Sequence, residues 1–168
     1  DVLIGLPSPG LRSNGYSLAR RVLLDRAGRS LDDPAYDGAH HSLGEELLVP
    51  SRIYAPAILA ALGEVDVRAV AHITGGGLPG NLVRVLPKGC EAVLERHTWE
   101  VPRIFSEIQR LGDIADDEMA RVFNLGIGMV VVVPEADAFA TLDLLRTKGH
   151  HASRIGGIRR GDRSVRLV

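Results

Sequence analysis

The chain has a single cysteine, Cys90, and little aromatic surface, with Phe, Trp and Tyr making up 4% of its 168 residues. One thiol excludes an internal disulfide and a thiolate metal cluster, and it fits a reducing cytosol. So few aromatics leave no stacking platform for single-stranded nucleic acid. An excess of charge of one sign is also lacking, because 20 Lys and Arg against 21 Asp and Glu give a formal net charge of −1. Neither nucleic acid nor an anionic membrane meets a basic field here. No apolar run approaches the ~20 residues that span a bilayer, and no basic stretch with an apolar core leads the sequence. The expectation is a cytoplasmic protein with no nucleic-acid partner and no membrane partner.

What is present is the composition of a globular domain, 45% hydrophobic and 24% charged. A domain of this length buries roughly 70% of its unfolded surface. Asp1 is not an initiator methionine, and Val2 opens an apolar strand with no lead-in. The expectation is therefore one domain, residues 1–168, cut from a longer protein at a domain boundary.

Strands and helices alternate along the sequence. Residues 2–6 read as a strand and Pro7-Ser8-Pro9-Gly10 as a turn. Ser13 or Asn14 is placed to cap a helix running to about Ala27, with Gly28 as its stop. Residues 29–41 read as a surface loop, and Ser42-Leu43-Gly44-Glu45 fits a capping box before a short helix ending near Pro50. A helix over 52–62 carries Pro56 inside it, which predicts a kink or a later start. An apolar strand over 65–73 empties into the glycines at 75–77, and 78–86 is able to turn helical. Residues 90–94 read as a strand, Pro102 as a first helical residue before Ile104, Phe105, Ile108 and Leu111, and 116–122 as an acid-led short helix. Gly128 to Val133, with four valines in a row, is the strongest strand and reads as buried on both faces. Residues 135–148 predict a helix with Phe139, Leu142 and Leu145 inward, followed by strands at 155–158 and 165–168. The fold class is α/β (α+β), a central mixed sheet with helices on its faces.

Three glycine-bearing segments compete for the chemistry. In His72-Ile73-Thr74-Gly75-Gly76-Gly77 a strand leads into backbone amides with no side chain above them, where an anion can approach closely. Arg12-Ser13-Asn14-Gly15 gathers side-chain donors at a predicted helix start, and Phe123-Asn124-Leu125-Gly126-Ile127-Gly128 joins a short helix to the valine strand. Each also has a plain reading as a turn or a cap. No Gly-Lys-Ser/Thr follows the glycines, so the pattern is no P-loop, and Val131 stands where a dinucleotide fingerprint needs its third glycine. His40-His41 and His150-His151 are adjacent pairs, and neighbouring residues rarely aim at one metal. Cys90 has no activating neighbour and reads as a small core residue. No metal site is expected on this chain.

Gly10-Leu11-Arg12-Ser13-Asn14-Gly15-Tyr16-Ser17-Leu18, then Pro50-Ser51-Arg52-Ile53-Tyr54, then His72 to Gly77 with Asn81 and Arg84-Val85-Leu86-Pro87, then Phe123-Asn124 with Gly126 and Gly128, follow in that order. In order and spacing they resemble the C-terminal domain of the phosphoribosylformylglycinamidine cyclo-ligase family, also called aminoimidazole ribonucleotide synthetase. The resemblance covers nearly the whole chain, and the block from His72 to Gly77 is its most specific part. Selenophosphate synthetase, the hydrogenase maturation dehydratase and thiamine-monophosphate kinase share the fold but usually carry an Asp-led motif at this loop.

The resemblance implies an ATP-dependent ring closure of formylglycinamidine ribonucleotide in purine biosynthesis. It also implies an N-terminal domain of the same chain that supplies most contacts to ATP and magnesium, and a homodimeric parent. The substrate or phosphate ligands it points to are Arg12, Ser13, Asn14, Gly15, His72, Thr74, Gly75, Gly76, Gly77 and Asn124. One residue departs from the family pattern, which commonly has His before Ser-Asn-Gly where this chain has Arg12. A permanent cation with a planar donor fork suits phosphate holding better than proton transfer. Two other functions are compatible with the residues: a non-catalytic phosphate-binding or regulatory module, and another ATP-dependent enzyme of the same superfamily.

Overall fold

The structure, a computed structural model, describes residues 1–168. Six strands form one mixed sheet: β1 (Val2–Pro7), β2 (Ala69–His72), β3 (Cys90–Leu94), β4 (Ile127–Val133), β5 (Ser153–Arg160) and β6 (Val165–Leu167), in the order β2-β4-β1-β5-β3-β6. Every neighbouring pair is antiparallel except β3 with β6. Seven α-helices accompany them: α1 (Tyr16–Arg20), α2 (Leu43–Leu47), α3 (Ala55–Glu64), α4 (Gly77–Leu82), α5 (Arg103–Gly112), α6 (Asp116–Val122) and α7 (Ala138–Thr147). None is long and apolar enough to cross a membrane.

The period-two alternation of β1 and β4 divides the sheet core. Val2, Ile4 and Leu6 share a face with Val131 and Val133, and this face packs on Tyr54, Ala57 and Ile58 of the α3 region and Leu145 of α7. Leu3, Val130 and Val132 point the other way, with Ala71, Ile73, Leu94 and Ile155, onto Leu78 and Leu82 of α4. The valine run is thus buried on both faces, as its composition requires. A third cluster lies between helices: Ala19, Val22 and Leu23 pack with Leu43, Ile104, Phe105, Ile108, Met119 and Phe123. Each of these larger side chains contributes about 1.5–3 kcal/mol on burial.

Several expectations need correction. The first helix is not capped by Ser13 or Asn14: Gly15 precedes it in the left-handed conformation, and no side chain caps it. It also widens into π-helical turns over Arg21–Arg26. The helix over 52–62 takes the later start that Pro56 allowed, at Ala55 with Pro56 in its first turn, where a missing N–H costs nothing, but it extends past the expected end to Glu64. That extension shortens the following strand to Ala69–His72, because the Val65 N–H closes the helix on the Ala61 carbonyl and the chain must turn before pairing. Helix α4 stops at Leu82, and tight turns carry the chain on, with the Arg84 and Val85 amides bonding three residues back. Phe139 does not face inward: it is 82% exposed, while α7 buries Thr141 and Leu145. The capping box at Ser42 forms in both directions, the Ser42 Oγ accepting from the Glu45 amide and the Glu45 carboxylate from the Ser42 amide.

Gly77 sets how closely α4 approaches α6. A Cβ there would lie 1.8 Å from the Ala120 carbonyl oxygen and 2.8 Å from that of Phe123, on a backbone with φ of +59°. Gly80, one turn on, faces open space at an ordinary φ. Gly77→Ala is therefore expected to lower unfolding free energy by about 3 kcal/mol, from a main-chain clash and backbone strain together. Gly80→Ala should be neutral or stabilise by up to about 1 kcal/mol. Denaturant unfolding of the two variants checks the contrast, and equal effects would remove the close approach as a constraint.

Candidate functional site

A cleft of about 700 Å³ opens at the end of β2. Arg12, Ser13 and Asn14 come to it from the loop before α1, Ser51 to Ala55 and Ile58 and Leu59 from the start of α3, His72 and Thr74 from the end of β2, and Met129 from β4. Pairing of β2 with β4 sets His72 opposite Met129. No Asp or Glu lines this cleft, whereas two arginines do. The apolar side chains of Ile58, Leu59 and Met129 give it a hydrophobic wall beside a wall of donors.

Arg12 is the centre of the donor wall. Its side chain is buried and its backbone has a φ of +59°, rare for a non-glycine residue. Nη1 donates to the Gly128 carbonyl and lies 3.3 Å from His72 Nε2, and Nη2 donates to the Ile73 carbonyl. Arg12 Nε is buried without a partner. Burial pushes the guanidinium's pKa down, yet a guanidinium remains charged at any ordinary pH. No carboxylate pairs with it; the ionisable groups facing it are the His72 imidazole and the Tyr54 phenol.

Gly128 lets this arrangement close. A Cβ at that position would lie 2.0 Å from Tyr54 Oη and 3.0 Å from Arg12 Nη1. The Tyr54 hydroxyl donates to the Pro7 carbonyl at 2.8 Å, and burial raises its pKa against the opposing pull of Arg12, so the phenol stays neutral. His72 is shifted the other way, below the ordinary imidazole range, first by desolvation and then by the Arg12 charge. His150 is buried against Tyr54, ring centroids 5.4 Å apart, and is lowered by burial and by the Arg52 charge.

The glycine loop borders the cleft without forming its wall. Asn81 Nδ2 donates to the carbonyls of Thr74, Gly75 and Gly77, and Thr74 Oγ1 donates to Asn81 Oδ1. These bonds turn the loop's carbonyls toward Asn81. The amides of Thr74, Gly75 and Gly76 have no acceptor within the protein. Asn14 Oδ1 comes within 3.5 Å of the position a Gly75 Cβ would take, so the two donor segments meet at the rim.

Of the residues singled out in the sequence, Arg12, Ser13, Asn14, His72 and Thr74 line the cleft, Gly75 stands beside Asn14 at its edge, and Gly76 packs toward Gly80 and Asn81. Gly15 and Gly77 are packing positions, Gly15 beneath the Phe123 ring and Gly77 against α6. Asn124 is buried with both amide atoms engaged, donating to the Gly10 carbonyl and accepting from the Gly126 amide, so it fixes the loop before α1 rather than offering a free donor. Ser51, Arg52, Tyr54 and Met129 were not among the expected ligands. Ser51, Arg52 and Tyr54 belong to the segment Pro50 to Tyr54 that carries part of the resemblance, which was their signal in the sequence. Nowhere do three His, Cys, Asp or Glu side chains converge in a metal-binding group.

His72 and His150 both bind a proton less readily folded than unfolded, so their contribution is intact above the ordinary value of 6.5 and declines as pH falls below it. Glu45 and Glu91, held down by hydrogen bonds from Ser42 and from Arg166 and Ser164, act in a separate window below the ordinary 4.5. The melting temperature is expected to fall between about pH 7 and pH 5, and His150→Phe should make that decline shallower. An unchanged slope in the variant would remove His150 from the account.

The family described as "AIR synthase related protein, C-terminal domain" matches residues 1–168. A phosphoribosylformylglycinamidine cyclo-ligase of Myxococcus xanthus (strain DK1622) is 48% identical over 168 residues, which are 100% of this chain and 48% of that protein. The chain spans about half the length of the curated relatives it matches. Among solved structures, a thiamine-monophosphate kinase from Stenotrophomonas maltophilia K279a superposes with a TM-score of 0.63 at 16% identity, covering 99% of this chain and 49% of that one. Hydrogenase maturation protein HypE in complex with ATP gives 0.58 at 16% identity, covering 99% and 46%. At that identity the two structures share the fold, and it is the match along all 168 residues that places this chain in the family of AIR synthase related proteins, as their C-terminal domain.

Proposed function

We propose that this chain is the C-terminal, substrate-holding half of an ATP-dependent cyclo-ligase that converts formylglycinamidine ribonucleotide to aminoimidazole ribonucleotide in purine biosynthesis. One observation carries the reading: Arg12 is a buried cation without a carboxylate partner, in a cleft whose polar groups are donors and whose lining holds no acid. A buried unpaired charge is expensive, and a phosphate entering the cleft offsets that cost. Ser13, Asn14 and Arg52, with the open amides of Thr74 to Gly76, supply the direct contacts to its oxygens. Ile58, Leu59 and Met129 face the sugar and the unclosed base.

In the reaction, the formyl oxygen attacks the γ-phosphorus of ATP and ADP departs. An amidine nitrogen then attacks the activated carbon, the imidazole ring closes, and inorganic phosphate leaves with the former formyl oxygen. Two guanidinium groups and no carboxylate make the cleft a poor home for magnesium. The ion and most contacts to ATP belong to an N-terminal half of the parent, which also forms its homodimer. The position is cytoplasmic, where purine precursors are made.

A charged hydrogen bond contributes roughly 1.5–3 kcal/mol, whereas micromolar affinity needs about 8 kcal/mol. Two or three such bonds barely exceed the cost of association. The 168-residue chain alone, given ATP and magnesium, is expected to close no ring. In the full-length enzyme, Arg52→Ala should raise KM for the ribonucleotide about tenfold and leave KM for ATP within about twofold. Turnover by the chain alone, or an unchanged ribonucleotide KM in the variant, would overturn the assignment. Ribonucleotide binding without turnover in the full-length protein would identify a regulatory phosphate module.

A further inference from the structure

We propose that Arg12 fixes His72 as the neutral tautomer with its proton on Nδ1, so that His72 meets the substrate as a hydrogen-bond donor and never as a proton acceptor. This rests on the cleft being the substrate site, as argued above. The first step is the chemistry of the pair. A guanidinium donates and does not accept, so at 3.3 Å from Arg12 Nη1 the His72 Nε2 must present its lone pair. A neutral imidazole with Nε2 accepting carries its proton on Nδ1.

The second step is that Arg12 is not free to leave. One Nη1 hydrogen serves the Gly128 carbonyl while the other serves His72, and Nη2 holds the Ile73 carbonyl. The Gly128 carbonyl also accepts the Ile73 amide at 3.0 Å, so the guanidinium is tied across the junction of β2 and β4. Turning it away would strand a buried cation and open its carbonyl bonds in the interior.

The loop before α1 brings Arg12, Ser13 and Asn14, the start of α3 brings Ser51, Arg52 and Tyr54, and the strand ends bring Thr74 and Met129. His150 stands behind Tyr54. Two of these groups are permanent cations and none is an acid, so a second proton on His72 would meet a like charge at hydrogen-bond distance with no counter-charge. His72 is exposed and lines the cleft, and its only hydrogen bond within the protein is through Nε2, which leaves Nδ1–H for a phosphoryl or formyl oxygen. Arg12 is a positioning residue and acts through His72.

The tautomer is read directly by nitrogen NMR of histidine-labelled full-length protein, with His72→Gln assigning the signal. The expected spectrum has a protonated Nδ1 and an unprotonated Nε2, with the ring titrating below the ordinary imidazole range. In Arg12→Ala the midpoint should rise toward the ordinary imidazole range and the tautomers should mix. A wild-type ring protonated on Nε2, or one titrating near its ordinary value, overturns the proposal, and this result needs no ligand and no Arg12 variant. Kinetics test the donor role separately. His72→Asn, whose amide nitrogen falls where Nδ1 lies, should keep kcat/KM within about threefold, while His72→Ala should lose about tenfold or more. Equal losses in the two variants overturn the donor role. A normal tautomer result with an unchanged ribonucleotide KM in Arg52→Ala would instead fault the substrate assignment alone.

Discussion

The buried fork of Arg12 is the contact on which the site depends. It reaches from a left-handed turn before α1 to the carbonyls of Ile73 and Gly128, and so joins the first loop of the chain to two strands more than fifty residues away. Removing one partner of such a set leaves the other buried and unsatisfied, which is where the large costs of polar substitutions arise. The backbone strain at Arg12, on the order of 1 kcal/mol, is held in place by these bonds. Gly128 is the matching concession on the strand side. Without a Cβ it admits both the guanidinium and the Tyr54 phenol to the same stretch of β4.

The glycine-rich segment after β2 has two duties that its sequence cannot separate. Gly77 is a contact between helices, with α6 main chain lying where any side chain would be. Thr74 to Gly76 keep their amides open because Asn81 gathers the neighbouring carbonyls. One part of the run is therefore architecture and the other is a candidate ligand surface, and only the packing against α6 tells them apart. Asn124 makes the same point from another side. It is a donor-rich residue beside glycines, and the structure uses both ends of its amide to hold Gly10 and Gly126.

The elements that were legible are those governed by one strong local force. Four valines give β4 because only a strand covered on both faces suits them, and the Ser42 to Glu45 spacing gives a reciprocal cap because both partners lie within a single turn. Ile104, Phe105 and Ile108 mark the buried stripe of α5 by spacing alone. What was not legible depended on long-range competition. The strand before the glycines is short because α3 runs past its predicted end and the chain must turn back before β4 offers partners. Phe139 lies outside because α7 settles on α3 and β1 with Thr141 and Leu145 inward, a rotation that hydropathy alone does not fix. In the cleft, the donors on either side of β2 were visible as polar residues beside glycines. Ser51 to Tyr54 were marked only by the resemblance, since nothing local shows that a segment before a proline will cross the end of β2.

Charge distribution gives the cleft its selectivity on the proposed function. The chain as a whole is close to neutral, at −1, but its acids lie elsewhere and the cleft holds Arg12 and Arg52 alone among charged groups. At an effective dielectric near 20, one unit charge about 5 Å from a guanidinium is stabilised by roughly 3 kcal/mol. A ribonucleotide brings a phosphate that meets this field, while a nucleoside of the same shape leaves the Arg12 charge buried and unanswered. The difference falls on binding the uncharged analogue, because the unpaired cation is already present in the empty cleft and only an anion relieves it. Since both Nη atoms of the guanidinium are engaged by Ile73, Gly128 and His72 and its Nε is buried, its role toward the phosphate is that of a fixed field, and the direct contacts fall to Ser13, Asn14, Arg52 and the open amides. Orientation of the ligand then comes from groups that do not have to move when it arrives.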